Sequence, residues 1–195
     1  HSVTIPVLKG IDDALDEDFG IIHIDAHFDL DDQMDGDKLS HGCTERRAVE
    51  MNNVSSSENI FFIGIRSAEP NELEFMDNNK LNLINAYDYS QIGTDRVIKQ
   101  VVDKMSKFNK VYITLDIDVL DIMGTGTPQI GGLASRDLLN LLRGLFDLNI
   151  IGMDVVEVAP KLDPALYPIF AARKIITESI GHQARKKGKL VKHGE

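Results

Sequence analysis

The sequence predicts a three-layer α/β/α fold with a central, mainly parallel sheet. Short, nearly continuous apolar runs rich in Ile, Val and Phe alternate with longer stretches that carry apolar residues at three- and four-residue spacing. Continuous apolar runs are typical of parallel strands covered on both faces. Repeated strand-helix-strand order favours helices on both sides of one sheet. At 195 residues and 43% hydrophobic composition, we expect residues 1-195 to form a single domain.

The spacing of apolar residues and the positions of turn-forming and capping residues predict the individual elements. The candidate strands are Gly20–Asp25, Ile60–Ile65, Leu81–Ile84, Val111–Asp116 and Ile150–Val156. The candidate helices are Glu45–Asn52, Glu69–Asn78, Thr94–Phe108, Ser135–Phe146 and Ala165–Gly181. Thr94 and Ser135 are predicted to cap their helices. Residues 30–40 and 119–133 are predicted to be loops, and the basic tail from Arg185 to Lys192 is interpreted as a solvated end.

Two acidic clusters end candidate strands. Asp25, His27 and Asp29 alternate after the first strand, and Asp116 and Asp118 after the fourth. Residues two apart in a strand point to one face, and parallel sheets bind ligands beyond the carboxyl ends of their strands. Carboxylates gathered there repel each other unless a cation lies between them. The pattern predicts a pair of divalent ions, and ligands without thiolate favour manganese over structural zinc.

Composition narrows the function classes. The net charge of -10 disfavours nucleic acid as a partner and fits a cationic substrate or simple solubility. Cys43 is the only cysteine, so we expect a small buried side chain and no intrachain disulfide. No run approaches the roughly 18 apolar residues of a membrane span. We therefore expect a cytoplasmic protein with neither a membrane nor a nucleic-acid partner.

The motifs resemble those of the ureohydrolases, the arginase and agmatinase family. The acidic clusters look like the family's two metal motifs, and the opening residues look like the end of its Gly-Gly-Asp-His-Ser motif. We therefore expect a fragment that lacks the N-terminal strand and helix, with a loop after Asp121 that is shorter than in the family. The matching segments are His1–Thr4, Asp25–Asp29, Ser40–Gly42, Arg46–Ala48, Leu115–Asp121, Gly124–Pro128 and Gly152–Pro160.

The resemblance implies a binuclear site with two Mn²⁺ per subunit. It assigns one ion to His1, Asp25, Asp29 and Asp116, and the other to Asp25, His27, Asp116 and Asp118. It further implies that Asp118 assists the attacking water, that His41 shuttles a proton to the leaving amine, and that Glu157, Thr127 and His41 contact the substrate. Without that resemblance, His41 would be interpreted as a surface residue and Glu157 as a partner of Lys or Arg.

The implied activity is hydrolysis of a guanidino compound to urea and an amine. Agmatine, giving putrescine for polyamine biosynthesis, is preferred because no carboxylate-binding partner follows Asp29. Arginase, guanidinobutyrase and formimidoylglutamase activities stay open, as does an inactive scaffold. We expect a homo-trimer or homo-hexamer, as the resemblance implies. His23, Asp121 and Asp154 are interpreted as hydrogen-bonding supports, and the aspartates at 31–37 either attract a cation or are merely solvated.

Overall fold

A parallel sheet of five strands forms the centre of the molecule. The computed structural model describes residues 1–189. The strands are β1 (Gly20–Ile24), β2 (Ile60–Ile63), β3 (Asn82–Ile84), β4 (Val111–Asp116) and β5 (Ile150–Val156). Their order across the sheet is β3-β2-β1-β4-β5, and every neighbouring pair is parallel. All five predicted strands are thus confirmed, and β1 and β4 lie side by side at the centre.

Seven helices connect and cover these strands in the described part of the chain. They are α1 (Thr4–Ala14), α2 (Thr44–Ala48), α3 (Pro70–Asn78), α4 (Ala86–Ile92), α5 (Thr94–Met105), α6 (Ser135–Leu145) and α7 (Tyr167–Lys186). None of the described helices is both long and apolar enough to cross a membrane. Residues 190–192 of the basic tail lie outside the described residues.

The helices form one layer on each face of the sheet. On one face, Leu8 of α1 and Ala48 of α2 pack with Ile21 and Phe62, and α3 lies against the same cluster. On the other face, α4 to α7 cover alternate residues of the same strands, such as Ile22 and Ile113. The predicted three-layer α/β/α fold is therefore confirmed.

Two helices were not predicted from the sequence. Pro6 and Gly10 interrupt the apolar pattern of α1. Pro6 is tolerated because it lies in the first turn, where the backbone N–H groups lack intrahelical partners. The short α4 has local signals instead: the Asn85 side chain accepts a hydrogen bond from the Asp88 N–H, and Gly93 ends the helix at φ 82°.

The two predicted caps are wrong. Gly93 and Ala134 occupy the N-cap positions, and Thr94 and Ser135 are already the first residues of α5 and α6. The Thr94 hydroxyl instead donates to Asp137 Oδ1 at 3.3 Å, joining the starts of these two helices. Residues 30–40 and 119–133 are irregular apart from short bridges and turns, as predicted.

Candidate metal centre

The two acidic clusters meet because β1 and β4 are neighbours in register. Ile24 pairs with Leu115, so Asp25 and Asp116 lie side by side at the carboxyl ends of the strands. Both strands have a neighbour on each side in the sheet, and both are fully buried along their length. The sheet therefore places the predicted ligands at one buried point.

The convergence of the other ligands depends on turns and not on strand alternation. Of the predicted carboxylates, only Asp116 lies within a strand. Asp118 lies in a 3₁₀ turn, Ile117–Val119, whose Asp118 N–H donates to Asp116 Oδ1 at 2.8 Å. Asp29 adopts a positive φ of 54°, which is unusual for a residue other than glycine. The side chains do lie together, as predicted. The predicted cause, alternation of side chains along a strand, was wrong.

Four of the predicted ligands face one another on the first side of the centre. His1 Nδ1 lies 3.1 Å from Asp25 Oδ2, 2.9 Å from Asp29 Oδ2 and 3.5 Å from Asp116 Oδ2. His1 Nδ1, Asp25 Oδ2 and Asp29 Oδ2 are buried and have no hydrogen-bond partner. Polar atoms left in this way are costly unless something else binds them.

The remaining ligands lie on the second side. His27 Nδ1 is 3.0 Å from Asp118 Oδ2 and 3.5 Å from Asp25 Oδ1. Asp118 Oδ2 is also buried without a partner. Asp25 thus turns one oxygen to each side. Ligand atoms of Asp25, His27 and Asp118 all lie within 4.8 Å of one another, a spacing that suits a metal ion.

The electrostatics of the cluster show an excess of negative charge. Burial and the neighbouring charge of Asp25 raise the pKa of Asp116 well above its usual value. Burial lowers the pKa of His27, but the nearby carboxylates of Asp118 and Asp25 outweigh this effect and raise the pKa to about 10. Burial likewise opposes the charged form of His1, yet the surrounding carboxylates of Asp116, Asp25 and Asp29 raise its pKa well above the usual value. Like charges held this close favour a bound cation.

The donor set fits divalent metal ions. The atoms that meet are carboxylate oxygens and imidazole nitrogens, which are both common ligands of such ions. The only cysteine of the sequence, Cys43, is not among the grouped ligand residues, and its buried Sγ lies 3.7 Å from the main-chain oxygen of Asp37. The four unpartnered atoms described above point into the shared centre and need a ligand of opposite charge.

A hydrogen-bonded chain behind the centre holds His1. Its Nε2 lies 2.6 Å from the Thr114 hydroxyl, which donates to Asp154 Oδ1 at 2.7 Å. Asp154 Oδ2 accepts from Thr4 and Tyr112, so the carboxylate is itself fixed. Asp154 therefore supports a ligand residue, as predicted. Asp121 does not: it is exposed and accepts only from the Gly131 N–H at 3.3 Å among the bonds of the described residues.

The predicted catalytic and substrate residues surround a cleft of about 220 Å³ above the centre. His41 is exposed at its wall, with Nδ1 3.3 Å from Ser40 Oγ. Glu157 follows β5 at a φ of 59°, and its carboxylate contacts the main-chain nitrogen of His1. Thr127 lies on the loop after β4, where its neighbour Gly126 is close to the Glu157 carboxylate. His41, Glu157 and Thr127 therefore line the same cleft as four of the predicted ligands, and Asp25 and Asp118 are not among its lining residues. The four are His1, His27, Asp29 and Asp116.

Arg66 fixes the loop that carries Thr127. It follows β2, and its guanidinium donates to the main-chain oxygens of Asp118 at 2.6 Å and Gln129 at 2.7 Å. Longer bonds reach Ile130 and Val119. Both ends of the loop after β4 are thus held to a single side chain.

Sequence reasoning left open whether the aspartates at 31–37 attract a cation, and it assigned no role to several other residues that line this cleft. Asp31 belongs to the acidic loop and faces the cleft, whereas Asp32 of the same loop pairs with Arg47 at 2.9 Å. Proximity to Asp29 is the one signal that separates Asp31 from its neighbours in the sequence. The lining residues for which no role was predicted are Met34, Gly42, Ser67, Glu69, Glu72 and Gln129.

Known proteins are similar to this chain along most of its length. The model of the arginase family matches residues 1–181. The chain is 39% identical over 197 residues to an agmatinase of Escherichia coli, covering 96% of this chain and 59% of the relative. It is 36% identical over 185 residues to an agmatinase of Halalkalibacterium halodurans, covering 92% of this chain and 60% of the relative.

The structure is also similar to solved structures of hydrolases that act on amidino groups. Proclavaminate amidino hydrolase from Streptomyces clavuligerus aligns with a TM-score of 0.87 at 30% identity, covering 95% of this chain and 62% of that chain. The chain thus spans about three fifths of the length of the relatives it matches. With matches of fold, sequence and motif order along nearly all of its length, this chain belongs to the arginase family.

Proposed function

We propose that the protein is a binuclear manganese amidinohydrolase that converts agmatine and water to putrescine and urea. The observation that carries the proposal is the convergence of unpartnered buried atoms from His1, Asp25, Asp29 and Asp118 beneath one cleft. Family membership and the similarity to agmatinases support it. The domain would be most of a longer ureohydrolase.

The proposed ligands divide into two overlapping sets. One ion would be held by His1, Asp25, Asp29 and Asp116, and the other by Asp25, His27, Asp116 and Asp118. When bound, two divalent ions lower the pKa of water and so supply a nucleophile at neutral pH. Asp118 would accept a hydrogen bond from the attacking water and orient it toward the central carbon of the guanidinium.

Glu157 and Thr127 would bind the guanidinium group. A carboxylate pairs with a guanidinium through two parallel N–H···O bonds, which fixes both position and orientation. The Glu157 side chain is 30% exposed, and only its Oε1 contacts the main-chain nitrogen of His1, so the group has room for a substrate at the cleft. Thr127 lines the same cleft and would contact the same group.

His41 would deliver the proton that the leaving amine needs. Attack by water forms the new C–O bond, and the C–N bond to the alkyl amine then breaks. For this bond to break, the nitrogen of the leaving amine must receive a proton. An exposed imidazole at the cleft wall exchanges protons with solvent and is suited to this transfer.

The charge of the cleft supports agmatine over substrates that end in a carboxylate. Asp31, Glu69 and Glu72 line it in addition to the proposed catalytic groups, and the described lining residues include no Lys or Arg. An acidic surface attracts the free ammonium group of agmatine and repels the carboxylate of guanidinobutyrate. Arginine carries both groups and is disfavoured by its carboxylate.

The test is urea release by the purified full-length protein loaded with Mn²⁺. We expect the highest kcat/KM with agmatine and lower values with arginine and guanidinobutyrate. Preference for arginine or guanidinobutyrate would refute the choice of agmatine. Metal analysis is expected to give two ions per chain, and a value well below two together with no urea from any substrate would favour an inactive scaffold.

A further inference from the structure

His23 is a buried histidine that the proposed reaction does not use. It lies in β1, two residues before Asp25, and is 0% exposed. Its Nδ1 lies 2.9 Å from Glu45 Oε1, and its Nε2 lies 2.9 Å from the main-chain oxygen of His27. Because both ring nitrogens face oxygen acceptors, neither offers a free lone pair to a metal ion. His23 is therefore not a ligand, although it lies close to ligand atoms of His1 and Asp25.

The ring of His23 contacts three residues that would hold metal. It stacks on the ring of His1, with centroids 5.3 Å apart and planes 8° apart. Its Nε2 lies 3.3 Å from Asp25 Oδ2, and the bond to the His27 carbonyl ties down the turn after β1. A rotation of this one ring would therefore disturb ligands on both sides of the centre.

Glu45 is the residue that orients this ring. It lies in α2 and is 0% exposed, with one oxygen on His23 and the other, Oε2, without a hydrogen-bond partner. A buried ion pair is weak evidence for stability, because apolar residues of similar size often stabilise a protein equally well. A costly pair in contact with ligand residues points to positioning as its role.

A second connection joins the same turn of α2 to the metal residues. The backbone N–H groups of Glu45 and Arg46 donate to the main-chain oxygen of Asp29 at 3.0 and 3.1 Å. Asp29 has the positive φ of 54°, a backbone conformation that persists only where the surroundings hold it. The start of α2 thus holds both ends of the segment from Asp25 to Asp29.

We infer that Glu45 and His23 form a buried clamp that positions residues 25–29 for metal binding. The inference rests on the proposed metal centre and adds two residues that act through its ligands. Glu45 sets the His23 ring by accepting its Nδ1–H, and His23 in turn fixes His1, Asp25 and His27. The clamp raises metal affinity because the ligands are held in place before the ions arrive.

The test compares Mn²⁺ affinities by calorimetry in the full-length protein. Glu45→Met removes the acceptor at similar volume and is expected to weaken Mn²⁺ binding by about 10- to 100-fold. Glu45→Gln keeps an acceptor oxygen and is expected to retain most of the affinity. Glu50→Gln, an exposed change just beyond the same helix, is the matched control and should bind like the parent protein. Circular dichroism checks that each variant is folded.

A double variant keeps the inference testable if Glu45→Met does not fold. His23→Phe with Glu45→Met replaces the buried polar pair by an apolar pair, which proteins often accept without loss of stability. We expect this variant to fold and to bind Mn²⁺ at least tenfold more weakly than the parent, since both orienting bonds are gone. Parent-like affinity in either Met variant, or equal losses in Glu45→Gln and Glu45→Met, would overturn the clamp. Failure of the parent itself to bind Mn²⁺ would instead overturn the proposed metal centre.

Discussion

Replacing Thr114 with valine tests the support behind His1. Valine has nearly the same shape but lacks the hydroxyl that lies 2.6 Å from His1 Nε2 and donates to Asp154 Oδ1 at 2.7 Å. Thr114 is 0% exposed, so water cannot enter to replace the two lost bonds. Each buried polar group left unpaired costs about 1–3 kcal/mol. We expect the free energy of unfolding of the metal-free protein to fall by about 2–6 kcal/mol.

The same variant should bind metal more weakly, since His1 loses the bond that fixes its ring. A loss of about 10- to 100-fold in Mn²⁺ affinity is expected, which equals about 1.4–2.8 kcal/mol. Urea denaturation measures the first effect and calorimetric titration the second. Thr114→Ser keeps the hydroxyl and is the control. If valine and serine gave equal stability and equal affinity, the supporting role of Thr114 would be refuted.

Three further predictions concern the ligands and the cleft. Asp116→Asn should lose Mn²⁺ and activity together while keeping the fold, as judged by metal analysis, urea release and circular dichroism; full metal content would contradict its role as a ligand. His41→Ala should keep Mn²⁺ affinity and lose about 10²- to 10⁴-fold in kcat, and an unchanged rate across pH would exclude it as the proton shuttle. Asp31→Asn should raise KM for agmatine about fivefold, which corresponds to the loss of about 1 kcal/mol from a partly solvated charge pair. The same change should leave KM for guanidinobutyrate unchanged or lower it. Equal effects on both substrates would show that the charge of Asp31 does not select between them.

The sheet and the ligand cluster could be predicted from the sequence because their signals are local and repeated. Continuous apolar runs marked all five strands, and Asp25 and Asp116 followed directly from the ends of two of them. The parallel order of the strands then brought these two residues together. The positions of Asp29 and Asp118 at this cluster could not be predicted, because both residues lie in turns whose conformation is set by neighbouring elements.

Contacts between residues that are far apart in the chain could not be predicted from the sequence either. Glu45 and His23 are 22 positions apart, and no spacing or period links a helix residue to a strand residue across a loop. The start of α1 was hidden because Pro6 and Gly10 are poor helix formers in general and acceptable only at their particular positions. The two cap predictions were wrong for a related reason. Thr94 and Ser135 have side chains that often cap helices, but the N-cap positions are one residue earlier, at Gly93 and Ala134.

The way in which Arg66 holds the loop after β4 affects how this protein can diversify. The guanidinium bonds to main-chain oxygens such as those of Asp118 and Gln129, and main-chain oxygens are present whatever the side chains are. Amino-acid exchanges at exposed loop positions such as Thr127 can therefore accumulate without altering the path of the loop. Variation in specificity is separated from folding, and this segment is a natural place for evolution or library design to explore new amidine substrates.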